Sequence, residues 1–370
     1  MLKKIGLVLV ALTMIATSQV WAAKYELKIQ TAVPSSSMYF ETMERLGKRI
    51  EKLSNGEIKV EVYASGAIVK AFEILDAVSD GIVTGGQAWT HYWSGKHPAG
   101  LLFAAPTAGL GVGLDQTGLL AWAWEGDGQK LLNQFYQEEL HYNIKAWLSM
   151  PMGPEPFGWF PKKFDSLDEL KKMKFRSPPG IPSESFKAIG MPVVSMPGSE
   201  IVPSAQRGVI DAAEWISPGD DKLLGLSDVW KAYYLQGLHQ ALSIGDVYIN
   251  KDWYDKLPPN LQEVIEVSMK AMVADQISMN VSINSQALKD LVINEGVTLY
   301  DTPEEYFKAY MEVVPEIMKK YSAKKPFFKE VLDSLNAWAE LTVPYQVKVN
   351  GLYYKMGKTA MDSGTMHDYK

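Results

Sequence analysis

The sequence predicts an α/β protein of two lobes facing each other across a cleft, with mixed sheets and long helices toward its C-terminal end. Three observations carry this expectation. Strand-like and helix-like patterns alternate from Tyr25 to Val83; the chain changes style at the proline- and glycine-bearing stretch Gly153 to Phe157; and from Asn260 onward nearly every segment has helical periodicity. Alternating strands and helices are the order of a largely parallel α/β sheet. A second such unit after the proline-rich crossing implies a second lobe.

Taken in order, Tyr25 to Gln30 alternates like a half-buried strand. Ser35-Ser36-Ser37 then offers capping hydroxyls ahead of a helix over Met38 to Lys52, with Phe40, Met43, Leu46 and Ile50 at helical spacing. Asn55-Gly56 turns the chain into a second strand, Glu57 to Tyr63. Ala71 to Ser79 reads as helix, and Ile82-Val83 as the start of a buried strand. In the second lobe Lys174 to Arg176, Val193 to Met196 and Ala212 to Ile216 read as short strands, separated by helical segments such as Ser183 to Ala188. Ile244 to Asn250 is a strong strand that returns to the first lobe. Helices follow over Leu261 to Leu291, Pro303 to Lys320 and Phe327 to Tyr345. In the last of these, Val331, Leu335, Trp338 and Leu341 or Thr342 form one apolar stripe, suited either to the chain's own lobes or to a second copy.

The expected organisation is a signal peptide at 1–22, lobe I at 23–150 and 243–300, lobe II at 151–242, and a C-terminal helical region at 301–370. Lys3 and Lys4 precede twelve apolar residues, Ile5 to Ala16, and Val20-Trp21-Ala22 suits cleavage after Ala22. Twelve residues of helix reach about 18 Å, too short for a bilayer core of roughly 30 Å. The expectation is therefore an exported, periplasmic protein. With no cysteine, such a chain has no disulfide to support it and relies on buried cores. A net charge of −6 argues against a nucleic-acid surface.

Arg176 is one of four arginines among thirty-seven basic residues, in the segment Lys174-Phe175-Arg176-Ser177-Pro178-Pro179-Gly180. A rigid, planar fork where a strand stops suits two-pronged recognition of an anion; the other reading is an arginine that ties down the Pro-Pro turn. Glu214 and Trp215 close a strand ahead of Ser217-Pro218-Gly219, where open sheets present ligand groups. The Glu214 carboxylate and the adjacent Trp215 carbonyl are hard oxygen donors, better matched to sodium or calcium than to zinc. Glu155 lies between Pro154 and Pro156, which fix its backbone at the expected crossing between lobes. Gln240 is a further polar candidate. Trp89, Tyr92 and Phe103 fall where the first lobe faces the cleft, although core packing is the ordinary place for large aromatics.

Catalytic patterns are poor. The five histidines show no metal-ligand spacing, no thiol is present, and neither a nucleophile elbow nor a phosphate-binding loop occurs. The glycine-rich run Gly109 to Gly113 lacks a strand before it and an acid after it. An exported hydrolase or lyase using Glu155 and Glu214 as acid and base is the remote alternative.

With these residues in view, the chain resembles the extracytoplasmic solute-binding proteins of TRAP (tripartite ATP-independent periplasmic) transporters, in the branch that binds 2-oxo and 2-hydroxy monocarboxylates with a metal. The likeness rests on Gly66-Ala67-Ile68-Val69, Gly158-Trp159-Phe160, Lys174-Phe175-Arg176, Ala205-Gln206-Arg207-Gly208, Glu214-Trp215 and Asn336-Ala337-Trp338. It implies that Arg176 clamps the substrate carboxylate and that Glu214 and the Trp215 carbonyl hold the metal. Glu155 stands where that branch usually has glutamine, and Gln240 falls near another of its polar ligand positions. The resemblance further implies a membrane permease as partner and a homodimer through the C-terminal helix. Glu155, Glu214 and a monocarboxylate bring three negative charges against the one positive charge of Arg176, so calcium balances the site and sodium does not. The alternative is a metal-free site whose Glu155 pairs with the ammonium of an amino acid, or one that takes an aromatic acid.

Overall fold

The computed structural model describes residues 23–107, 110, 112–196 and 198–369. The expected signal peptide, and Gly109 and Gly111 of the glycine-rich run, lie outside the described residues. In chain order the strands are β1 (Tyr25–Thr31), β2 (Ile58–Tyr63), β3 (Gly85–Ala88), β4 (Ile144–Pro151), β5 (Gly158–Phe160), β6 (Phe175–Arg176), β7 (Val193–Val194), β8 (Ala212–Ala213), β9 (Ala232–Tyr234), β10 (Ile244–Asn250) and β11 (Thr298–Tyr300). They form two mixed sheets, ordered β2-β1-β3-β10-β4 and β11-β9-β5-β8-β6-β7.

The first sheet follows from its side chains. β1 alternates, with Leu27 and Ile29 buried, and pairs in parallel with β2 from Tyr25 opposite Ile58 to Gln30 opposite Tyr63. Ser37 caps the helix Met38–Leu53 by accepting a hydrogen bond from the Tyr39 amide. β10 is buried along its whole length and runs antiparallel between β3 and β4, at the position expected of a strand returning to the first lobe. The strand expected to begin at Ile82 is Gly85–Ala88 instead, and Ile82 is exposed. Two glycines hide this strand from propensity. The sheet needs them because a Cβ on Gly86 would fall 2.4 Å from the Tyr248 ring and 2.7 Å from Ile74.

The second sheet is made of strands of two or three residues, shorter than the sequence suggested. β6 ends at Arg176 because Pro178 and Pro179 have no N–H to offer a ladder, and β8 ends at Ala213 because the chain leaves the sheet with Glu214. The chain crosses between the sheets twice here, from β4 to β5 and from β9 to β10. A third crossing is the helix Pro259–Asn294, whose 36 residues span about 54 Å. It packs on the helix Met38–Leu53 and β4 at one end and on the helix Pro218–Leu224 at the other. The stretch 243–300 therefore does not stay with the first lobe as expected. Its last strand, β11, pairs with β9 in the second sheet, Thr298 opposite Ala232.

The last helix, Pro326–Asp362, runs well past the expected end at Tyr345 and carries Pro344 inside it. Its first half packs on the chain's own core through Phe328, Val331 and Leu335, and the Trp338 indole donates to the Gly118 carbonyl at 3.0 Å. Beyond it, Leu341, Tyr345, Leu352, Tyr353 and Tyr354 are each more than half exposed.

Asp246 in β10 is fully buried, and burial raises its carboxyl to about 7 against the opposing Tyr136 hydroxyl, which donates to Oδ2. A carboxyl raised on folding binds its proton more tightly folded than unfolded. Its contribution to stability therefore falls as pH rises from about 4 to about 7, at about 1.4 kcal/mol per pH unit. Asp246→Asn keeps an acceptor for Tyr136 and removes this cost. Denaturant titrations should show the variant gaining stability relative to the unsubstituted chain at about pH 8, with the gain vanishing near pH 4.

Candidate binding site

The polar groups singled out in the sequence meet between the two sheets. Arg176 ends β6, with Ala213 of β8 beside it in register, so its side chain and that of Glu214 leave neighbouring strands together. The guanidinium Nη1 donates directly to Glu214 Oε1. Its Nε and Nη2 both donate to the Met196 carbonyl, at 3.1 and 2.9 Å. Arg176 Cζ lies 5.2 Å from the centre of the Trp215 ring, a cation–π contact that fixes the fork from one side. Arg176 is 6% exposed and Glu214 1%, so this is a buried ion pair and not a surface one. The Pro-Pro turn does not consume the arginine; three of its five N–H groups go to Glu214 and Met196, which leaves one N–H on each of Nη1 and Nη2.

Glu155 is held by its backbone, its N–H donating to the Gln240 carbonyl at 3.0 Å between the two flanking prolines. Its Oε2 is 3.6 Å from His239 Nε2, and the same Nε2 is 3.8 Å from Glu214 Oε2. His239 is fully buried. Thr107 Oγ1 donates to its carbonyl, and Gly237 leaves room for it, since a Cβ there would lie 3.0 Å from His239 Cε1 and 2.8 Å from the Glu155 carbonyl. One ligand atom each from Glu155, Glu214 and His239 fall within 4.8 Å of one another.

His239 is the residue that sequence reasoning missed. Spacing along the chain was the wrong signal, because three segments far apart in sequence supply the cluster and only the sheet brings them together. The usable clue was its place next to Gln240, in the crossing from β9 to β10. Gln240 itself contributes its carbonyl to Glu155, and its buried Nε2 has no hydrogen-bond partner among the described residues.

The electrostatics are those of a tight cluster. Burial pushes the Glu155 carboxyl up, against the pull of the neighbouring His239 imidazole. Burial opposes charge on His239, but the two carboxylates beside it, Glu155 and Glu214, outweigh it and raise the imidazole. Near neutral pH the Glu155–His239 pair therefore keeps a proton between its members. Burial holds the Tyr92 phenol at about 12, with Arg176 opposing and Glu155 and Glu214 adding to the rise, so Tyr92 is a neutral donor beside the cluster. His91 is pushed down to about 3 by burial and by Arg176, and stays uncharged.

Of the aromatic candidates, Trp89 meets Tyr92 with ring centres 5.7 Å apart, and its buried Nε1 has no partner among the described residues. Phe103 is a different case from the other two. It is a core residue, packed against Trp122 and Phe135, and has no ring contact with Trp89 or Tyr92 among those of the described residues.

The buried arginine and the acid–imidazole cluster thus lie where the chain crosses between its two sheets. The chain belongs to the bacterial extracellular solute-binding proteins of family 7, whose pattern matches residues 29–325. It is 30% identical over 349 residues to a monocarboxylate 2-oxoacid-binding periplasmic protein of Nostoc sp., covering 94% of this chain and 93% of that one. Its fold is similar to a TRAP transporter solute-binding protein of Bordetella bronchiseptica, a dimer with copurified calcium and picolinate in one site and the other site apo (TM-score 0.85, 24% identity, 92% of this chain and 99% of that chain). It is similar also to a TRAP solute-binding protein of Pseudoalteromonas atlantica with bound sodium and pyruvate (TM-score 0.82, 23% identity, 90% and 99%). The protein is thus a TRAP transporter solute-binding protein, a receptor and not an enzyme, and the hydrolase or lyase reading is set aside. None of the described helices is long and apolar enough to cross a membrane.

Proposed function

We propose that this protein captures a 2-oxo or 2-hydroxy monocarboxylate in the periplasm and delivers it to the membrane permease. Arg176 grips the carboxylate, with Trp89, Tyr92 and Trp215 lining the pocket. Glu155, Glu214 and His239 hold a metal ion that draws the carboxylate and its 2-oxygen toward the acids. The observation that carries this reading is the convergence of a buried guanidinium with two buried carboxylates and an imidazole. The Nostoc relative's 2-oxoacid and the calcium or sodium of the structural relatives support it.

The donor set fits a cation, since Glu155 Oε2 and His239 Nε2 are buried without hydrogen-bond partners among the described residues. Coordination requires a neutral imidazole. With His239 neutral, the two carboxylates and the ligand outweigh Arg176 by two charges, so calcium is favoured over sodium. His239 joins Glu155 and Glu214 in this donor set, beside the Gln240 and Trp215 carbonyl expected from the sequence. Calorimetry with pyruvate and lactate should show binding that is lost in chelator and restored by calcium. Chelator-insensitive binding of a monocarboxylate, or tight binding of an amino acid instead, removes the metal from the site.

The exposed distal half of Pro326–Asp362 supports a homodimer through that helix. Deleting residues 341–370 should halve the mass seen by light scattering and leave pyruvate binding intact. The export assignment, with cleavage after Ala22, rests on the sequence, and N-terminal sequencing of the secreted protein tests it.

A further inference from the structure

Away from the acid–imidazole cluster, a second set of polar atoms is buried without partners among the described residues. Tyr39 Oη, Ser217 Oγ and Asp220 Oδ2 make no hydrogen bond among the described residues, and the three residues are 0%, 2% and 5% exposed. They come from opposite sides of the cleft. Tyr39 lies in the first turn of Met38–Leu53, while Ser217 and Asp220 lie at the start of Pro218–Leu224. The two segments touch, for a Cβ on Gly219 would fall 3.2 Å from Met38 Cε, and the Gly219 amide donates to Asn284 Oδ1 of the bridging helix at 3.0 Å.

Trp89 joins this set to the binding site. Its ring meets Tyr39 edge-on at 6.1 Å and Tyr92 at 5.7 Å. The chain supplies a second measure, because Ser217 follows Glu214 by three residues and so lies at most about 10 Å along the backbone from it. Burial first, and then the charges of Asp220 and Glu155, raise the Tyr39 phenol well above its ordinary range. Each buried polar group without a partner costs the fold stability. Phenylalanine, alanine and leucine would fill the same space at no such cost.

We propose that Tyr39, Ser217 and Asp220 form the far pole of the ligand site and select an acid whose other end carries a hydrogen-bond donor, an ammonium or a hydroxyl. This rests on the reading that Arg176 holds the carboxylate. Burial raises the Asp220 carboxyl only to about 6, so near neutral pH it is an anionic acceptor. A donor at the ligand's end satisfies it, a methyl leaves it unpaired, and a second carboxylate is repelled. A site built around buried polar groups rejects ligands that fail to pair them far more strongly than an apolar pocket rejects a misfit.

The test uses the full chain with calcium and three 2-hydroxy acids of equal length, ending in an ammonium, a methyl or a carboxylate, with pyruvate as reference. The ammonium-ended acid should bind at least about tenfold more tightly than the methyl-ended one, and the dicarboxylate should bind most weakly. In Asp220→Asn the ratio of the first two affinities should collapse toward one. Ser217→Ala, a smaller change, should reduce the same ratio and serves if Asp220→Asn does not fold. Equal binding of the ammonium- and methyl-ended acids by the unsubstituted chain overturns the proposal. So does an equal loss for all three acids in Asp220→Asn, which would make these groups a clasp between lobes. If pyruvate also fails to bind, the carboxylate-receptor reading itself falls, which is a separate result.

Discussion

Arg176→Lys should weaken monocarboxylate binding by roughly a hundredfold or more, although it conserves the charge. The guanidinium here does three things that an ammonium cannot do together. It reaches Glu214, it forks onto the Met196 carbonyl with two N–H groups, and its carbon centre stands over the Trp215 ring. Lysine is a compact, strongly hydrated charge on a flexible stem and has no planar fork. Hydrogen bonds to charged groups are worth about 1.5–3 kcal/mol each, so losing two of them at the ligand end amounts to a factor of about a hundred to about twenty thousand. Arg176→Ala should be worse for the fold as well as for binding. It leaves the Glu214 carboxylate buried without its partner, at a cost of about 3–5 kcal/mol. Calorimetry with pyruvate and a denaturant titration of both variants check this. An Arg176→Lys protein that binds as well as the parent would show that the anion is held elsewhere.

Much of this arrangement was legible in the sequence because it is written in local chemistry. The caps, the amphipathic helices and the strand that returns to the first lobe follow from periodicity and from turn residues. Arg176 stood out because the chain uses lysine almost everywhere else, and Glu155 because two prolines aim it. What was not legible depends on contacts between distant segments. Gly85-Gly86 has the composition of a turn, yet it forms a strand because the Tyr248 ring fills the space above it. Thr298–Tyr300 is too short to register as a strand until β9 pairs with it. Phe103 has the same bulk and neighbourhood as Trp89 and Tyr92, and only three-dimensional packing sends it into the core. His239 is the largest omission, since nothing in its own segment tells it that Glu155 and Glu214 are its neighbours.

That omission yields the second large effect. His239→Gln should destabilise the metal-free protein by roughly 3–5 kcal/mol, the range expected when one partner of a buried charged group is removed. In the parent chain the imidazole stands between two buried carboxylates, 3.6 Å from one and 3.8 Å from the other, and the proton it shares with Glu155 relieves their repulsion. Glutamine cannot carry that charge. Calcium can, and the amide oxygen is a donor calcium accepts readily. The variant should therefore be unstable in chelator and recover most of its loss when calcium is added, a larger calcium-induced rise in melting temperature than the parent shows. A double substitution with Glu155→Gln removes one of the opposed charges, so it should regain stability without any metal, and its loss should fall well below the sum of the two single losses. If His239→Gln instead melts like the parent in chelator, the imidazole carries no charge between the acids, and the metal must meet the cluster through its carboxylates alone.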